Sequence, residues 1–317
     1  MRNGVESPCY SGRSESARRG TTNDKRKIGK TLFPVHPGRD VRFPRDMVHE
    51  EAHNEIMTSI AGIAHDHPID EGKEFLATLL AASSSQLTAC EGWTVHEITA
   101  HVAAGSEERA NLIENHLAGG QQRGTRSFEE RERPYREIDD AALRTLLFEQ
   151  VERSIHASQR LAERPEYAVL FTGRNMSAAD FAMHSRSERS LHRWDIVGRD
   201  DVGWVMFAQP GLTLHALKIL TEMPVLAETP ANRLQAANYH SGDFTVVLRS
   251  DPGDDVTISL HHGVLSVASQ PLTDRPVDAH LEPAARLLAL WGRREPSAAI
   301  QLGRGANQLA LQCLFGW

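Results

Sequence analysis

The spacing of apolar residues changes period once along the chain. From about residue 50 to 199 apolar positions recur at the helical interval. Phe75, Leu76, Leu79, Leu80 and Leu87 do so within 70–88, and Leu143, Leu147, Val151, Ile155 and Leu161 within 139–162. Between them, Thr94 and Glu97 have the T-x-x-E spacing of a capping box and open a helix carrying Val95, Ile98, Val102 and Leu112, which Gly119-Gly120 ends. Ser177 and Asp180 open a further helix that runs through Phe181 to about Val197 and stops at Gly198. The pattern predicts four long helices. The connection "GGQQRGTRSFEERERPYRE" is polar and long enough to cross the end of a bundle.

"GLTLHALKILTEMPVL" extends the helical pattern to Pro224, after which the period falls to two. "DFTVVLRS", "DVTISLHH" and "GVLSVAS" alternate as strands, separated by turn residues at Asp251-Pro252-Gly253 and His262-Gly263. A helix over 282–292, "EPAARLLALWG", and a short C-terminal helix follow. The expected class is α+β: a helical bundle over 47–205, a connecting helix and linker over 206–240, and a smaller α+β domain over 241–317.

Charge divides the chain differently. The net charge of −7 combines a leader at 1–46, with 11 Lys+Arg against 5 Asp+Glu, and an acidic remainder of net −13. The Ser-, Gly- and Arg-rich leader reads as disordered. It has no apolar core of a secretory signal, and it is read as a dispensable tail or as sequence ahead of a start at Met47, with a targeting or binding arm as the alternative. An acidic body argues against a nucleic-acid partner, because phosphate contacts supply most of that affinity. No apolar run approaches the roughly 18 residues of a membrane span. Cys9, Cys90 and Cys313 form neither a disulfide framework nor a CxxC pair, which fits a reducing cytoplasm.

The candidate chemistry lies in "ERSLHRWD". Positions 181, 185, 188, 192 and 195 share one helix stripe, and Glu188, His192 and Asp195 replace the apolar residues that begin it. Buried carboxylates need partners. A divalent metal held by Glu188 and His192 at i,i+4 is one solution, and a solvated face or a hydrogen-bonded core pair is the other. His184 is excluded as a third ligand with His192, because eight residues span about 12 Å of helix. The third ligand then comes from a neighbouring helix, with His101 best placed and His96 its competitor. Cys90, about 16 Å before His101 if the helix extended that far, is read as no ligand. Trp93, Trp194 and Leu191 are read as packing residues.

The pair "EGWTVHEITAHV" and "ERSLHRWDIVGR", with "EPAARLLALWGRR" near the end, resembles the mycothiol-dependent maleylpyruvate isomerase family over about residues 70–317. One departure is Cys90-Glu91-Gly92-Trp93, where the family commonly has Pro-Gly-Trp. The resemblance implies a DinB-like four-helix bundle and places a metal triad on His101, Glu188 and His192. It further implies an open zinc position and mycothiol as thiol cosubstrate. Asp195 and Arg193 are the expected catalytic residues, with Asp195 an orienting partner behind a ligand. Arg189, Arg293 or Arg294 could also meet substrate carboxylates. The expected activity is cis-trans isomerisation of an unsaturated dicarboxylate or S-conjugation of an electrophile. The alternatives are a non-catalytic metal-stabilised bundle with a ligand- or protein-binding C-terminal module, and hydrolysis with Asp195 or Glu97 as base.

Overall fold

The computed structural model describes residues 69–317 except 224–225, 227, 252, 273 and 294–299. The leader, Met47 and Arg294 therefore lie outside the described residues. The helical part begins with α1 (Glu71–Ala81), α2 (Val95–Leu117), α3 (Phe128–Arg136) and α4 (Asp140–Ala162). A short hairpin, β1 (Val169–Phe171) and β2 (Arg174–Met176), leads to α5 (Ala178–Val197). The helix starts follow the side chains expected to cap them. Thr94 and Ser177 each accept from the third helical N–H while Glu97 and Asp180 reach back, and each such cap contributes about 1 kcal/mol. Gly198, at φ 73°, ends α5 in a conformation that disfavours a side chain.

The first helix is shorter than its apolar pattern suggests. Ala82 is extended, Ser83–Ser85 break the turn, and Leu87 instead pairs with Thr94 in an isolated bridge, 74% exposed. The α3 segment was expected to be a connection. It is helical because Ser127 and Glu130 form another capping box, although Pro134 lies within it.

α1 packs along α5, α2 along α4, and α4 against α5. One apolar core, with Phe75, Leu79, Ile98, Leu143 and Leu147 fully buried, fills one end of the bundle. A second core runs without interruption from Ile113 and Phe181 of the bundle to the C-terminal strands. Three helices fill the junction: α6 (Asp201–Phe207), α7 (Pro210–Glu222) and α8 (Pro230–Ala236).

The C-terminal part contains β3 (Phe244–Arg249), β4 (Asp255–His261), β5 (Val264–Gln270), β6 (Ala279–His280), α9 (Pro283–Leu290), β7 (Gln301–Leu302) and α10 (Gln308–Phe315). The sheet order is β5-β4-β3-β6-β7, antiparallel except for β3–β6. Val246 opposite Ile258 and Leu248 opposite Val256 are buried, as alternation predicts. Every described residue of α9 after Pro283 is buried, and the helix packs on α6 and α7. The C-terminal part is thereby fastened to the bundle beside α5.

Candidate metal centre

His101 projects from the second turn of α2 and Glu188 and His192 from successive turns of α5. Their donor atoms lie within 4.8 Å of one another. Glu188 Oε2 is 3.5 Å from His101 Nε2 and 3.6 Å from His192 Nε2. The two imidazole centroids are 5.0 Å apart. His96, the competitor of His101, instead turns to the carbonyl of Arg136 at 3.2 Å. His184 faces His215 on α7, with 3.4 Å between ring nitrogens.

Behind each imidazole stands a buried carboxylate held by arginine. His101 Nδ1 is 2.7 Å from Glu132 Oε1, and the other Glu132 oxygen accepts from Arg136 at 2.7 Å. His192 Nδ1 is 3.1 Å from Asp195 Oδ2, and Arg293 donates to both Asp195 oxygens at 2.8 Å. Ionised carboxylates only accept, so each Nδ1 directs its proton at the carboxylate behind it, and Nε2 is the nitrogen that faces Glu188. Metal-binding histidines characteristically have such partners. Two imidazole nitrogens, which a bound ion would hold in place of their protons, one carboxylate oxygen and fixed ring orientations fit a divalent ion.

The charges are mutually dependent. Burial opposes ionisation of Glu188, yet hydrogen bonds from both imidazoles hold its carboxyl well below the usual range. Glu132 is likewise penalised by burial but is held down to about 2 by His101 and its arginines. His101 and His192 lose charge stability through burial and regain more from Glu132 and Asp195 respectively, so both are raised.

A cavity opens on His101 and Glu188, walled by Phe128, Phe171 and Trp291. Arg109, Arg131 and Arg189 line it. Arg109, buried and beside Arg189, is pushed down to about 9 and is held by Ser154 and Ser185. Buried Arg131 lies over the Phe128 ring at 4.3 Å, and its Nε has no hydrogen-bond partner among the described residues.

Several expected roles change. Arg193 follows His192 by one residue, a rotation of about 100° that turns it off the site's face. Its guanidinium bonds Asp200 at 2.8 and 2.6 Å. Asp195 does not line the cavity, and its side chain is 1% exposed. Its Oδ2 lies 3.1 Å from His192 Nδ1. Arg293 is committed to Asp195, and Glu97 is consumed in its capping box. Cys90 is the largest surprise. It precedes the Thr94 cap in a turn that folds back onto α5, where Ala89 N–H bonds the Asp195 carbonyl and Cys90 Sγ donates to Asp195 Oδ2 at 3.2 Å. Cys90, His192 and Asp195 form a second group of metal-capable atoms, but all three are buried and Asp195 is already saturated. Trp93, Leu191 and Trp194 are buried packing residues, and Trp93 also faces the His101 ring at 5.4 Å. Glu132, Arg109 and Arg131 had no local signal beyond their charge.

Residues 66–197 match the family model of the mycothiol maleylpyruvate isomerase N-terminal domain. That N-terminal domain contains His101, Glu132, Glu188, His192 and Asp195, whereas Arg293 lies beyond it. A solved structure of the mycothiol-dependent maleylpyruvate isomerase is 17% identical, with 78% of this chain and 92% of that chain covered and a TM-score of 0.47. A point mutant of that enzyme gives the same identity and coverage with a TM-score of 0.48. No curated protein matches the chain. No described helix is long and apolar enough to cross a membrane.

Proposed function

We propose that the chain is a zinc- and mycothiol-dependent isomerase acting on an unsaturated dicarboxylate of the maleylpyruvate type. The observation that carries this reading is the convergence of His101 Nε2, Glu188 and His192 Nε2, with His101 and Glu188 on the wall of a cavity that three arginines also line. A bound divalent ion supplies Lewis acidity that lets a thiol lose its proton near neutral pH. His101 and His192 would hold that ion, and Glu188 would offset part of its charge. Arg109, Arg131 and Arg189 provide the positive field that holds a carboxylated substrate against the aromatic wall. Among the described cysteines neither Cys90 nor Cys313 lines the cavity, which favours a thiol supplied from solution. S-conjugation would use the same centre; the arginines favour the dicarboxylate.

The test is metal content per chain, by inductively coupled plasma mass spectrometry, for the wild type and for His192→Ala, Glu188→Ala and Arg193→Ala. Turnover of maleylpyruvate is measured with and without mycothiol. About one equivalent in the wild type and Arg193→Ala, lost from the other two, with turnover only when mycothiol is present, is expected. A folded wild type that takes up no zinc would overturn the proposal and leave the non-catalytic bundle.

A further inference from the structure

We infer that Arg293 is a positioning residue of the metal centre, through which the C-terminal part completes a site whose ligands all lie in the bundle. The inference rests on reading His101, Glu188 and His192 as ligands. Arg293 and Asp195 are 98 residues apart, yet their side chains are 7% and 1% exposed and meet through two bonds of 2.8 Å. Asp195 Oδ2 accepts from Arg293, His192 and Cys90 together. A carboxylate this deep needs a cation to remain charged. Charged and held, it can fix the His192 ring with Nε2 towards Glu188.

The fold aims Arg293 at this point. Gly292, at φ 71°, turns the chain at the end of α9. Arg293 N–H then bonds the Leu288 carbonyl, and its guanidinium also donates to the Trp291 carbonyl at 3.2 Å. Arg233 caps the Ala289 and Leu290 carbonyls beside it. On the other imidazole Arg136 performs the same service through Glu132, but from the segment between α2 and α4. The two histidines thus carry matching Arg–carboxylate supports, one internal to the bundle and one delivered by the C-terminal part.

The experiment measures zinc affinity of the full chain by competition with a chromophoric chelator, and the visible spectrum of the cobalt-loaded protein. The variants are Arg293→Met, Arg293→Lys, Asp195→Asn and the Arg293→Met/Asp195→Asn pair, with Arg249→Met as a control in the same part of the fold. Arg293→Met is expected to weaken zinc binding about 10- to 100-fold and alter the cobalt spectrum, as loss of a ligand's hydrogen-bond partner does. Arg293→Lys should recover part of the affinity. If Arg293 acts through Asp195, its substitution adds less than about twofold in the Asp195→Asn background. Wild-type affinity and spectrum in Arg293→Met, or a full additional loss in the double variant, would overturn the inference. Should Arg293→Met not fold, Arg293→Lys against Asp195→Asn gives the same comparison. A wild type that binds no zinc fails the metal reading itself, before Arg293 is at issue.

Discussion

Glu132 shows how much of a site can be carried by a residue with no motif. It is buried, accepts from His101 at 2.7 Å and is held down to about 2 by that imidazole and its arginines. Glu132→Gln keeps the volume and removes the charge, so His101 should lose basicity and orientation together. Zinc affinity is expected to fall about 10- to 100-fold with the secondary structure unchanged, as measured by chelator competition and circular dichroism. Unchanged affinity would show that the Trp93 and Phe128 rings alone hold His101. The three ligand candidates were legible because helix periodicity fixes which residues share a face: i,i+4 spacing joins Glu188 to His192, and the Thr94 cap sets the phase of His101. Of their supports only Asp195, three residues from His192 on the same helix, was legible. Glu132, Cys90 and Arg293 lie 31, 105 and 98 residues from the groups they contact, and no local pattern encodes a meeting across such separations.

Between elements, the contact of α5 with α7 stores a pH dependence. His184 and His215 face each other at 3.4 Å, and burial pushes them down to about 4 and about 3. Unfolded, both titrate near their ordinary value of about 6.5, so between that pH and about 4 the unfolded chain binds more protons than the folded one. The contribution of this pair is therefore full above about 6.5 and declines as pH falls, by up to about 1.4 kcal/mol per pH unit for each histidine. His215→Leu should roughly halve this component, read as the change in urea midpoint between pH 7 and pH 5. A variant as acid-sensitive as the wild type would place the dependence elsewhere. The long elements announced themselves in the same physical terms, by a 3.6-residue stripe or by alternation. α3 did not, because its sequence, Phe128–Arg136, is mostly charged and carries Pro134, and the two-residue strands β6 and β7 are too short for any period to show.

Across the whole molecule, the proposed ion would sit where separate parts of the fold are tied together. Its ligands come from α2 and α5, α3 supports one of them through Glu132, and the C-terminal part supports another through Arg293. In the unfolded chain these groups are scattered over nearly 200 residues, so an ion that prefers the assembled site stabilises the folded state by mass action. At a free zinc concentration a thousand times the dissociation constant the gain is about 4 kcal/mol. For a fold of this size each kcal/mol moves the melting temperature by about 2–4 °C, so dialysis against a chelator should lower it by about 8–16 °C, and zinc should restore it. Glu188→Gln retains the fold's packing but lacks the ligand charge, and its melting temperature should respond weakly to either treatment. Differential scanning calorimetry of both proteins decides the matter. An equal zinc response in the two would mean that the ion stabilises the chain from some other position, since only a site containing Glu188 can make the shift depend on that carboxylate.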